Sequence, residues 1–428
     1  MRTVNFFRKC CLPLLLVFFQ LLPVWAAPLS QEDSELLSTI QKDTFQYFLK
    51  NSDKNTGLTR DSSQSGSPAS IAATGFSLTA IAIGQSHGWV QEDWARQYLT
   101  KTLRTLLSRA EHHNGFFYHF LDARSGKRIW NSEASSIDTA LLVAGALVAA
   151  QYFPGTEIEK MAWRIYKRID WPWMMNGRML ICMGWTPETG FLPYYWDTYN
   201  EHLLLQALAL GSPTHPVPQE EWNEWARRED VYNGKKIVYS YSGSLFTYQF
   251  PHAFIDFRGL KDNDINYFMN SRNASIANRE YSLSFRSQYK TYSENSWGLS
   301  ASLGPGGYKA YGAKPGAGLQ DGTIAPYAAI SSIVFTPEES LAAIRFFYQN
   351  YAKNLYGNFG FKDAFNLDKK WWSQEYLGID QGISLLMLEN FLNDGAVWKK
   401  FMSLELVKRW VEISNLGKEK SAGITPAA

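Results

Sequence analysis

Residues 136–152 read SIDTALLVAGALVAAQY. Small and apolar residues occupy every side of a helix drawn through this stretch, which predicts a helix buried all round. Stretches of the same kind recur at 70–84, 198–210, 324–335 and 378–392, with a shorter one at 244–255. Amphipathic segments with a charged face alternate with them, at 32–49, 91–112, 156–169, 219–228, 264–289 and 337–352, and a last one at 404–413. In 91–112, for instance, Trp94, Tyr98, Leu99, Leu103 and Leu106 recur at helical spacing with Arg and Lys between them. The five steps from Ser70 to Gly378 average about 62 residues, enough for two helices and a long loop. Six buried helices, each paired with an amphipathic one, predict an all-α fold. The expected form is an (α/α)6 toroid, a six-hairpin barrel, with long loops on one face forming a cleft.

The 428 residues carry 42 Lys+Arg against 40 Asp+Glu, and 45% are hydrophobic. That composition supports a large core and excludes general disorder. A near-neutral charge without a basic block argues against nucleic acid as a partner. The 16 Trp, 23 Tyr and 26 Phe suit grooves that stack against flat ligands such as sugar rings. Arg2, Arg8 and Lys9 precede an apolar run at 12–22, and Val24-Trp25-Ala26 follows. Residues 1–26 therefore read as a signal peptide, too short in its apolar part for a membrane span, so no stable membrane anchor is expected. The expected location is periplasmic or secreted. Without that segment the formal charge passes from +2 to −1, which suits a neutral glycan. Residues 27–415 read as one domain and 416–428 as a flexible C-terminal tail. Cys182 is then the lone cysteine and reads as a packed thiol.

Loops that enter the buried helices of such a ring gather at one end, so acids and aromatics near those helix starts are the candidate functional residues. They are Arg60 with Asp61, Glu133 with Asp138, Trp196 and Asp197 with Glu201, His252 with Asp256, Asp321, and Asp380. Hydrolysis of an acetal needs one protonated carboxyl to release the leaving oxygen and one ionised carboxylate to activate water or attack. Acids at helix starts also cap backbone N–H groups, and Thr198-Tyr-Asn-Glu201 is formally a capping box. Among the aromatics, Trp163, Trp222 and Trp225 read as packing residues. Trp196, Trp297, Trp371, Trp372 and Tyr376 lie in loops near the acids and read as sugar-stacking candidates. No His-Glu-x-x-His, no Gly-x-Gly-x-x-Gly after a strand and no phosphate-binding loop occurs, so neither metal nor cofactor is implied.

Several stretches resemble the bacterial glycoamylase-like ("putative glucoamylase") domain family, the family of endo-β-1,2-glucanases. They are Ser70-Ile-Ala-Ala-Thr-Gly-Phe76, Ser135-Ser-Ile-Asp-Thr-Ala-Leu-Leu-Val-Ala-Gly145, Leu208-Ala-Leu-Gly-Ser-Pro-Thr-His215, Gln249-Phe-Pro-His-Ala-Phe-Ile-Asp-Phe-Arg-Gly259, Gln320-Asp-Gly-Thr323 and Gly378-Ile-Asp-Gln-Gly382. The resemblance runs from about Glu32 to Met402. It implies an (α/α)6 toroid and inverting, endo-acting hydrolysis of β-1,2-glucan in the periplasm. It places Glu201 as the general acid and Asp380 as the carboxylate that activates water, with Asp138 and Glu133 lining the cleft. Tyr199, His252, Trp297, Asp321, Trp372 and Tyr376 would then shape the sugar subsites. The expected partner is a neutral oligo- or polysaccharide, and the chain is expected to be a monomer. An exo-acting glucosidase on another glucan, an α/α-toroid polysaccharide lyase and a non-catalytic glycan-binding protein are the rival expectations.

Overall fold

Helices made of small residues can meet backbone to backbone, and the centre of this molecule is assembled that way. The structure is a computed structural model that describes residues 29–262 and 265–417. The expected signal peptide lies outside the described residues, as does the expected tail from residue 418 onward. The chain runs through α1 (Gln31–Lys50), α2 (Ile71–Ser86), α3 (Glu92–Ser108), α4 (Ser136–Tyr152) and α5 (Glu157–Lys167). It continues through α6 (Trp171–Met174), α7 (Leu203–Leu210), α8 (Glu221–Glu224), α9 (Phe246–Phe254) and α10 (Tyr267–Ser284). Its last part holds α11 (Pro326–Ser331), α12 (Pro337–Leu355), α13 (Gly378–Leu392), α14 (Ala396–Met402) and α15 (Glu405–Ile413). The described strands are two to four residues long and pair antiparallel in the loops.

The buried helices pack in a circuit. α2 lies against α4 and α13, α4 against α7, α7 against α9, and α13 against both α9 and α11. Gln249 of α9 reaches α11, donating to the Ala328 carbonyl (2.7 Å) and to Ser332 Oγ just beyond it (2.9 Å). At the crossing of α2 and α4 two glycines face each other. A Cβ on Gly145 would sit 2.0 Å from the Gly75 carbonyl oxygen, and one on Gly75 would sit 2.5 Å from Leu141 O. Ser70 and Ser135 cap α2 and α4 by accepting from the N–H groups of Ala73 and Asp138. Amphipathic helices cover the circuit: α1 on α13 and α2, α3 on α5, α5 on α4, α12 on α11, and α15 on α7. The result is a mostly helical molecule with one continuous apolar core.

α4 and α13 span the residues expected of them. Three other expectations are corrected. α7 starts at Leu203 rather than 198, because Trp196 and Tyr199 pin the preceding loop: Trp196 Nε1 donates to Ser136 Oγ (3.0 Å), and Tyr199 stacks on Tyr248 at 5.2 Å. The long amphipathic helix expected at 219–228 is a single turn, α8. Trp222 there packs on Trp410 of α15 at 5.7 Å, so a helix from the far end of the chain holds the place against α7. The helix expected at 324–335 shortens to α11 because Ile324 pairs with Phe365 in a β-bridge.

Candidate active site

The residues before and within the first turns of α4, α7 and α13 converge at one end of the circuit. Asp138 lies in the first turn of α4, where Ser135 Oγ donates to its Oδ2 at 2.5 Å. His119, at the end of an adjoining loop, places Nδ1 3.1 Å from Glu133 Oε1 and Nε2 3.6 Å from Asp138 Oδ1. Burial works against a charged imidazole, but Asp138, Glu133 and Asp61 outweigh it and raise the His119 pKa to about 9. Glu133 is correspondingly held low: its burial is overcome by the hydrogen bond and charge of His119. His119, Glu133 and Asp138 each offer one atom within 4.8 Å of the others, a spacing that could also hold a cation. With the imidazole protonated, the positive charge of this cluster is His119 itself.

Glu201 precedes α7 and is electrostatically coupled to Asp138. Its Oε2 is buried without a hydrogen-bond partner, and burial lifts its pKa to about 7, so the carboxyl is largely protonated in weakly acidic solution. The loop holding it is built from aromatic packing: His202, wholly buried, stacks on Trp196 at 5.9 Å and meets Trp225 edge-on at 5.2 Å.

Asp380, in the first turn of α13, faces Asp363 from the hairpin before it. Asp363 Oδ2 accepts from Leu303 N–H at 2.7 Å, while Asp363 Oδ1 and Asp380 Oδ2 are buried with no conventional donor. The two carboxyls influence each other directly, so they titrate as a pair rather than as independent groups. Burial and the neighbouring Asp363 raise Asp380 well above the usual carboxylate range. Burial lifts Asp61 to about 6, with His119 opposing the rise and Asp138 and Glu375 adding to it. Tyr308 stands at the turn of the hairpin made by Ala301–Ser302 and Lys309–Ala310. The charges of Asp380, Asp363, Asp61 and Glu201 all act on its phenol. Mutual electrostatic influence thus links Asp61, His119, Glu133, Asp138, Glu201, Tyr308, Asp363 and Asp380 in one cluster.

Comparison with known proteins adds a lineage to this geometry. The family described as Glycoamylase, "Putative glucoamylase", matches residues 193–405. A solved structure named as a "putative glucoamylase" from Bacteroides uniformis ATCC 8492 is 31% identical, with 91% of this chain and 98% of that one covered and a TM-score of 0.85. The chain belongs to the glycoamylase family. The endo-β-1,2-glucanase of Chitinophaga pinensis is 30% identical, with 90% and 98% covered and a TM-score of 0.84. A curated relative from Parabacteroides distasonis, an exo β-1,2-glucooligosaccharide sophorohydrolase (non-reducing end), is 27% identical over 420 residues. That match covers 89% of this chain and only 58% of the relative's length.

Several expected site residues of this glycoamylase-family chain take other positions. His252 lies in the last turn of α9, at the opposite end of the circuit from the acids. It is wholly buried, its pKa lowered to about 3 by that burial, with Nε2 2.9 Å from Ser271 Oγ. Asp256 follows at the same end, paired with Arg258 through two contacts of 2.8 Å. Trp196, Tyr199 and Trp297 are 5%, 0% and 0% exposed, so none can offer a ring face to a sugar. Trp372 stacks on Phe365 at 5.2 Å and Tyr376 meets Phe359 edge-on at 5.1 Å, both as internal packing. Asp321 accepts from Tyr311 Oη (2.9 Å) and Thr323 Oγ1 (2.6 Å), bracing the loop that carries Tyr308. Arg60 sits beside Asp61, and Asp197 is exposed with its carbonyl accepting from Ala226 N–H. The exposed rings among the described residues are instead Trp94 on α3, Trp130, Tyr194, Tyr241 and Tyr308. Sequence reading missed His119, Asp363 and Tyr308. His119 and Asp363 lie in short loop hairpins without a helix start to mark them, and Tyr308 follows Gly304-Pro-Gly-Gly307, which by itself signals a turn.

Proposed function

We propose that the chain is a glycoside hydrolase of β-1,2-glucan, endo-acting and inverting, in which Glu201 is the general acid. The observation that carries this reading is Glu201: a carboxyl protonated up to about pH 7, with an unpartnered oxygen, in the cleft that also holds ionisable carboxylates. Asp380, whose titration is tied to that of Asp363, is the base that receives a proton from the attacking water once it is ionised, directly or through a relay. Water adds to the anomeric carbon as the glycosidic C–O bond breaks, and Glu201 delivers its proton to the leaving oxygen. Glu133, held ionised by His119, and Asp138 beside it bind sugar hydroxyls. Action within a chain is supported by exposed rings on separate loops, Trp130 on the loop leading to Glu133 and Tyr241 near the Glu201 loop. It is supported too by similarity to the C. pinensis endo-enzyme.

Exo action is the second reading, favoured by the sophorohydrolase relative. Sizing the earliest products from long β-1,2-glucan separates them: mixed oligosaccharides for endo, one small product for exo. In the same assay Glu201→Gln is expected to lose about 10²-fold or more in kcat while retaining glucan binding. Turnover close to wild type in that variant would remove Glu201 from the acid role. We read the circuit of buried helices as six hairpins of an (α/α)6 toroid, and residues 27–415 as one monomeric catalytic domain exported by the 1–26 segment.

A further inference from the structure

A small cavity of about 250 Å³ lies beside the loop that holds Glu201. Its walls are Thr198, Arg228, Tyr239, Tyr241, Gly316 and Ala317. Thr198 is three residues from Glu201 and is fixed by a parallel bridge to Ala226, so this wall is continuous with the acid's own loop. Gly316 and Ala317 belong to the segment that continues from the Tyr308 hairpin. Ala317 N–H donates to the Tyr241 carbonyl at 2.9 Å, and Tyr239 N–H to the Arg228 carbonyl at 3.0 Å. The backbone of the cavity is thus stitched together, and its side chains are not. Among the described residues, the phenols of Tyr239 and Tyr241 and the guanidinium of Arg228 have no hydrogen-bond, ion-pair or ring partner. Tyr241 is 81% exposed, the most open of the large exposed rings.

A ring left in water at the rim of a cavity, beside an idle five-donor guanidinium, has the makings of a carbohydrate platform. An aromatic face covers the C–H side of a pyranose, and the donors reach its hydroxyls. The charge of Arg228 is opposed by no acid lining the cavity, and a neutral sugar leaves it solvated at the rim. We propose that this cavity is an outlying glucosyl subsite, in which Tyr241 stacks on a sugar unit beyond those held at the acids and Arg228 hydrogen-bonds to it. The inference rests on the proposed hydrolase reading and adds to it a dependence on chain length. Only substrates long enough to run from the acids past Thr198 fill the subsite.

The test compares Tyr241→Ala and Tyr241→Phe with the wild type on long β-1,2-glucan and on the shortest β-1,2-oligosaccharide that the wild type cleaves. The alanine variant should raise KM for the long chain about tenfold, the equivalent of one well-packed aromatic contact, and leave the short substrate unchanged. The phenylalanine variant keeps the ring face and should stay near wild type on both. An unchanged KM for the long chain in Tyr241→Ala, or equal losses on short and long substrates, overturns the subsite. A wild type inert towards β-1,2-glucan of every length overturns the hydrolase reading and the subsite with it. The wild-type control distinguishes that result from failure of the subsite alone.

Discussion

Glu201 is poised at a cost to the fold. Its carboxyl is stabilised in the protonated form by burial, and its Oε2 has no donor to support a charge. A folded pKa of about 7 lies above that of an exposed glutamate, so the folded state binds this proton more tightly than the unfolded chain does. The contribution is therefore intact below the unfolded pKa and is lost as pH rises through about 7. Glu201→Gln removes the titration while keeping the shape. Denaturant unfolding at pH 8 should find the variant more stable than wild type, on the order of 2 kcal/mol, with the gap narrowing towards pH 5. A pH-independent difference between the two proteins would show that the carboxyl is not held protonated by the fold. His119 illustrates the opposite balance, in which burial is outweighed by three carboxylates and the group stays charged.

At the scale of elements, the all-round apolar pattern made α4 and α13 legible to the residue, because a helix surrounded by others has no polar face to confuse its limits. The same pattern hides how the helices meet. α2 and α4 approach until Gly145 and Gly75 touch through backbone atoms, a contact that no local periodicity reports. Gly145→Ala would press a methyl into a carbonyl 2.0 Å away and force the two helices apart. Thermal unfolding should register a loss of roughly 1–3 kcal/mol, as overpacking of a close crossing does; an unshifted transition would mean the crossing has room to give. Segment 219–228 was misread for a related reason. Its spacing of Trp222 and Trp225 is helical, but those rings are drawn into a cluster with Trp410, nearly two hundred residues away in sequence. The candidate site divides along the same line. Asp138, Glu201 and Asp380 were visible because they stand at starts of buried helices. Asp363 and His119 join the site only through tertiary contacts of short hairpins, and Trp196 and Trp297 turn out buried because richness in aromatics does not say which rings the core consumes.

For the molecule as a whole, both ends of the described chain are built into the core. α1 packs on α13 and α2, with Asp33 paired to Arg345 of α12, and α15 packs on α7 close enough that a Cβ on Gly211 would sit 2.3 Å from Leu406 O. The first and last helices of the described chain thus cover helices that hold Asp380 and follow Glu201. Because helices from both ends of the described chain pack into one continuous core, the molecule should unfold as a unit. Trp410 tests this from the C-terminal end. It is wholly buried in α15, edge-on to Trp222 at 5.7 Å and to Phe257 at 6.1 Å. Trp410→Ala leaves a cavity where three aromatic rings meet and should cost about 3–5 kcal/mol. Circular dichroism and tryptophan fluorescence should lose signal together in one earlier transition, and the hydrolytic assay should lose activity in step with both. A variant in which fluorescence changes first, while helicity and activity persist to the wild-type midpoint, would mean that α15 detaches independently and that the rest of the core does not depend on it.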